Sequence, residues 1–123
     1  MDVTNLYRVN SFVTKDGSLI RELLAHRNSC IQNQSLAEAR VPVDVETDEH
    51  YHPKTEEIYY IISGKGLMTL DGKEREVIEG DAIAIPPGAR HKIKNIGDCE
   101  LKFLCCCSPA YEHDDTIMVN EAT

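Results

Sequence analysis

No apolar run in this chain approaches the ~20 residues that a bilayer-spanning helix requires. Its start, Met1-Asp2-Val3-Thr4-Asn5, lacks the basic and then apolar stretch of a secretion signal. The expected location is therefore the cytoplasm. Basic residues are scarce as well: 13 Lys and Arg stand against 21 Asp and Glu, a net charge of −8, and they form no stripe. Such a surface repels phosphate backbones, so nucleic acid is excluded as the expected partner. There are five cysteines but no Cys-x-x-Cys pair. Without secretion, that argues against a disulfide framework and lowers the case for structural zinc. Longer internal repeats and low-complexity segments are also absent.

What is present is an ordinary soluble balance, 41% hydrophobic and 28% charged, in 123 residues. That length suits one domain with one core. Residues 1–33 read as an N-terminal arm with an Asp16-Gly17 turn. In it, Ile20, Leu23 and Leu24 have i, i+3, i+4 spacing behind a capping Ser18, which predicts a short helix. From 34 to 108 the pattern is β: Ala37, Ala39, Val41 and Val43 alternate with Glu38 and Arg40. Turn signals recur at Ser63-Gly64, Asp71-Gly72, Glu79-Gly80, Pro86-Pro87-Gly88 and Gly97-Asp98, a spacing that suits a sandwich or barrel. Asp71-Gly72 predicts a two-residue hairpin. Residues 109–123 are a polar tail, either laid over the barrel or loose.

The chemistry concentrates in His50-Tyr51-His52, then Glu57, then His91, 34 residues after Glu57. Side chains in a strand alternate faces, so His50 and His52 point the same way if that segment is extended. Glu57 opens the run Ile58-Tyr59-Tyr60-Ile61-Ile62, the next strand. Glu56 must then face the other side. The four ligands converge only if the sheet curls around them. A nitrogen and oxygen shell of this kind suits one divalent transition metal: Mn or Fe first, with Ni, Co, Cu or Zn also accommodated.

The spacing His50-x-His52-x4-Glu57-x6-Gly64, followed by Gly80-x5-Pro86-x-Gly88-x2-His91-x3-Asn95, resembles the two conserved motifs of the cupin superfamily. The one departure is Asp44, where that family usually places a glycine six residues before the first His. The resemblance implies an all-β, double-stranded β-helix: a jelly-roll barrel preceded by the arm. It assigns metal-ligand roles to His50, His52, Glu57 and His91. It also implies a range of activities, among them dioxygenases, decarboxylases, isomerases and oxidases, together with non-catalytic sugar-binding or sensor modules. Paired subunits are common in such a family, and a homodimer is expected here.

Parity supplies candidate pocket walls. Tyr59 and Ile61 share the face of Glu57, and Ile93 and Asn95 that of His91. With Lys102 turned to water, Phe103, Cys105 and Cys107 point inward. The two cysteines read either as small buried apolar groups or as pocket thiols near the metal. Tyr59 is the candidate catalytic donor, and no inward Lys, Arg or second carboxylate is evident. The reading is a metal-dependent enzyme acting on a small chelating organic acid, phenol or diketone, with dioxygenase- or decarboxylase-like chemistry. His113, among three acids, reads as part of a solvated tail, and His26 has less support still as a ligand.

Overall fold

A computed structural model describes residues 1–120. Two antiparallel sheets face each other. One has six strands, in the order β1 (Phe12–Val13), β2 (Leu19–Leu24), β3 (Ser35–Val41), β10 (Leu101–Ser108), β5 (Glu56–Ser63) and β8 (Ala82–Ile85). The other has five: β11 (Ile117–Met118), β4 (His50–Tyr51), β9 (His91–Asn95), β6 (Lys65–Leu70) and β7 (Lys73–Ile78). This is the jelly-roll barrel. The alternation in β5 is complete, with Glu57, Tyr59 and Ile61 buried and Glu56, Ile58 and Tyr60 exposed. In β10, Leu101, Phe103, Cys105 and Cys107 are buried and Cys106 is not. Their inward rows meet Val41, Ile85 and Ile93 in one core.

The turns follow from the backbone that each residue permits. Asp71 and Gly72 have φ of 48° and 81°, so both central residues of the β6–β7 hairpin are left-handed, as the primed turn requires. Asp44 has φ of 66°. The position usually given to glycine thus keeps its left-handed backbone, which Asp tolerates better than most residues. Gly64, at φ 95°, also lies where an added Cβ would meet the Leu101 backbone at 3.0 Å. Two constraints therefore fix that residue.

The arm corrects one expectation. Leu19–Leu24 is not a helix but strand β2, paired antiparallel with β3, and the nearby 3-10 turn lies earlier, at Leu6–Arg8. Two pieces of the arm, β1 and β2, are therefore strands of the six-stranded sheet. The tail joins too: Ile117 and Met118 pair with Tyr51 and His50. Among the described residues no helix is long and apolar enough to cross a membrane.

Candidate metal centre

The sheet brings the three imidazoles together. His50 and His91 are directly paired across β4 and β9, with ring centroids 4.3 Å apart. His52 lies two residues on, 5.1 Å from the His50 ring and 5.5 Å from that of His91. One ring nitrogen from each lies within 4.8 Å of the other two, and all three residues are buried.

Backbone carbonyls orient every ring. Nδ1 of His50 donates to Asp48 O at 2.9 Å, that of His91 to Ala89 O at 2.9 Å, and that of His52 to Asp115 O at 3.3 Å. A carbonyl oxygen only accepts, so each Nδ1 carries a proton, and Nε2 is the atom that presents a lone pair whenever the ring is neutral. Glu57 Oε1 faces two of these lone pairs, 3.4 Å from His52 Nε2 and 3.5 Å from His91 Nε2. Glu57 Oε1 and His91 Nε2 are buried without a hydrogen-bond partner among the described residues. The carboxylate's other oxygen is held, because Cys107 Sγ donates to Oε2 at 3.3 Å.

Acceptors that face one another in a dry site require positive charge between them. In the metal-free protein a proton supplies it. Burial pulls His52 down, but the Glu57 carboxylate overcomes this and leaves it raised. His50 is lowered, by burial and then by the neighbouring His91. Burial pushes Glu57 up, yet His52 and His91 hold it at about 2. A divalent cation satisfies the same lone pairs without protonating the rings. The three-histidine group can hold a metal, and rings fixed through Nδ1 are the usual support of such a ligand. Burial and the Glu57 charge raise the Cys105 and Cys107 thiols, so they stay protonated rather than becoming thiolate ligands.

A cavity between the sheets reaches His50, His52 and Glu57, with about 50 Å³ in which a water-sized sphere can be centred. Tyr59, Phe103, Cys105 and Cys107 line it. Ile61, Ile93 and Asn95 do not line it. Ile61 and Ile93 are fully buried in the core beyond. Asn95 donates to Val41 O and Cys99 O, at 2.9 and 2.8 Å, and accepts from Gly97 N at 2.9 Å, tying strand ends together. Parity gives direction but not depth. Lining residues that sequence reasoning missed include Phe12 and Asp16 from the arm, Ser35, Ala37 and Ala39 from β3, and Tyr111 and Thr116 from the tail. The Asp16-Gly17 turn signal was visible, but nothing local indicated what that turn covers.

Comparison with known proteins agrees with this geometry. Residues 37–107 match the cupin domain. An uncharacterized protein of Methanocaldococcus jannaschii is 53% identical over 113 residues, 92% of this chain and 90% of that protein. The oxalate-binding protein of Thermotoga maritima is 34% identical over 68 residues, 55% of this chain and 56% of that protein. The solved structure of the polyketide cyclase RemF from Streptomyces resistomycificus has a TM-score of 0.81 at 23% identity, covering 97% of this chain and 85% of that one. With two motifs, the barrel and the family match in agreement, the chain belongs to the cupin family.

Proposed function

We propose that this chain is a mononuclear metal-dependent enzyme acting on a small chelating organic acid, phenol or diketone, by decarboxylase- or dioxygenase-like chemistry. The observation that carries the reading is the gathering of three buried histidines beside Glu57 at the edge of a cavity, with Glu57 Oε1 and His91 Nε2 left without a hydrogen-bond partner among the described residues. His50, His52, His91 and Glu57 would hold one divalent cation, Mn or Fe by preference, since the donors are nitrogen and oxygen with no thiolate. Bound there, such a cation supplies Lewis acidity toward a ligand oxygen. The chain's own residues supply the rest. Phe103 and Tyr59 exclude water, and the Tyr59 phenol, raised by burial and by Glu57, stays protonated as a donor.

Size also supports a compact ligand. About 50 Å³ of this kind holds roughly four waters at the 10–15 Å³ each requires, too little for a monosaccharide. The similarity to an oxalate-binding protein favours a second reading, a non-catalytic binding module with the same site. Elemental analysis after reconstitution with Mn, Fe, Co, Ni, Cu and Zn tests the metal. Turnover and oxygen uptake across a panel of acids, phenols and diketones then separate enzyme from binder. One metal per chain with turnover that His91→Ala abolishes is the expected result. Stoichiometric binding without turnover gives the binder, and no metal at all refutes both. We further infer a cytoplasmic homodimer, joined through the exposed apolar row Ile58, Tyr60 and Ile62 on the outer face of β5.

A further inference from the structure

The hairpin of the arm carries a second carboxylate to the cavity, from a segment outside the 37–107 cupin match. The Asp16 side chain is 11% exposed. The hydrogen bonds found for its carboxylate all go to Oδ1: Thr14 Oγ1 at 2.6 Å, Ser18 Oγ at 2.6 Å and Ser18 N at 2.9 Å. The turn itself is pinned in place. Asp48 N donates to Asp16 O at 2.8 Å, and Lys15 Nζ donates to Thr116 O at 3.1 Å. The remaining oxygen, Oδ2, stands 3.9 Å from Nε2 of His50. Glu57 thus flanks His52 and His91, while Asp16 flanks His50.

The charge count follows. The cavity lining contains Asp16, Glu22 and Glu57 and no Lys or Arg. Glu22 is paired with Arg27 at 3.1 Å. A divalent cation is therefore already balanced by Glu57 and Asp16 before any ligand arrives. A dicarboxylate would add two further negative charges between apolar walls such as Ile20 and Phe103, with no Lys or Arg in the lining to offset the excess.

We propose that Asp16 determines which ligand the site accepts, admitting a neutral chelator that brings a hydroxyl proton (a phenol, or the enol of a β-diketone) and turning dicarboxylates away. The inference rests on the metal-dependent reading above and selects among its substrate classes. As the ligand's oxygen turns to the cation its O–H bond breaks and the proton passes to Oδ2, so the site gains no net charge. A carboxylate in the same place finds repulsion, which for unit charges within about 5 Å in a partly buried site exceeds about tenfold in affinity.

Calorimetric titration of the Mn(II)-loaded protein with oxalate and with acetylacetone tests this, for the unaltered chain, Asp16→Asn and Asp16→Glu. Asn keeps the Oδ1 acceptor that the turn uses, and Glu keeps the charge. Dividing each affinity by that ligand's affinity for aqueous Mn(II) removes intrinsic chelating strength. The unaltered protein should then favour acetylacetone over oxalate by at least about tenfold. Asp16→Asn should tighten oxalate by a similar factor and weaken acetylacetone, while Asp16→Glu should keep oxalate out. Equal normalised affinities in the unaltered protein would overturn the proposal even if no variant folded. A folded Asp16→Asn protein that loses Mn(II) would overturn it too, because Asp16 would then be a ligand rather than a selector. If the unaltered protein takes up no metal, the metal reading itself falls, and that result is distinct from either of these.

Discussion

Replacing Glu57 by Gln isolates the charge at the centre of the site. The amide has the shape of the protonated acid, so the substitution asks what ionisation contributes. Glu57 titrates at about 2 instead of its ordinary 4.5. At about 1.4 kcal/mol per tenfold, that gap corresponds to roughly 3 kcal/mol of stability in the metal-free protein. Its sign is fixed. A carboxylate whose folded value is depressed stabilises above its unfolded value and loses that contribution as pH falls through the folded one. The metal-free protein should therefore lose stability between pH 4.5 and about 2, and Glu57→Gln should be flat across that window and weaker above it. Urea unfolding in the presence of a chelator, repeated at several pH values, measures this. With metal present the difference should widen, since a ligand at ~100 times its Kd adds about 2.7 kcal/mol to a protein that binds it. Glu56→Gln is the control, because Glu56 is exposed and should stay within ~0.5 kcal/mol and retain metal. If Glu56→Gln loses metal while Glu57→Gln keeps it, the register of β5 is wrong by one. If both variants keep the wild-type pH profile, the electrostatic account fails.

The other expectations are more compact. Metal affinity should weaken as pH falls below ~6.5, because a ligand imidazole must be neutral at Nε2; a competition titration with a chelator of known affinity reads it. Asn95→Ala should cost about 3 kcal/mol, since it removes three hydrogen bonds from a fully buried amide and leaves two carbonyls to find new donors; urea unfolding measures this. Gly66→Ala should cost about 1–3 kcal/mol by overpacking, because its Cβ would stand 3.0 Å from Ile93 Cδ1 and 3.2 Å from Leu101 Cδ2; the same unfolding assay applies. Light scattering should give twice the 13.8 kDa chain mass, falling to 13.8 kDa in Tyr60→Asp if the outer face of β5 is the dimer contact.

The barrel and the three converging histidines were legible because both depend on short-range rules. Period-two alternation in β5 and β10 decides which residues face inward, and His50-x-His52 uses the same rule. The left-handed turns were legible through Asp71-Gly72 and through the glycines of the two motifs. Depth was not legible. Ile61, Ile93 and Asn95 share a face with the ligands yet lie beyond the cavity, because sequence parity cannot say where along a strand the open space ends. The walls supplied by Tyr111 and Thr116 depend on where the tail crosses the barrel. That crossing is set by long-range contacts such as the Asp115 carboxylate accepting from the amides of Lys54 and Thr55.

The arm was misread for a reason that its own structure supplies. In a regular strand Ile20, Leu23 and Leu24 could not follow one alternation, and i, i+3, i+4 spacing is the signature of a helix. Strand β2 carries them because its pairing with β3 shifts register between Glu22 and Leu24. A bulge inserts one residue and reverses which parity faces inward. Before it, Ile20 and Glu22 line the cavity. Beyond it, Leu24 pairs with Leu36, whose chain neighbours Ser35 and Ala37 are the cavity-lining residues. An extended arm also has a consequence that a helix would not. Paired with β3, β2 carries its hairpin to the cavity, and the Thr14–Ser18 turn is held by the amide of Asp48, two residues before His50. The bulge that disguised the strand thus belongs to the element that delivers Asp16 to the site. A substitution that straightens β2 should disturb ligand binding while leaving the histidine centre itself intact.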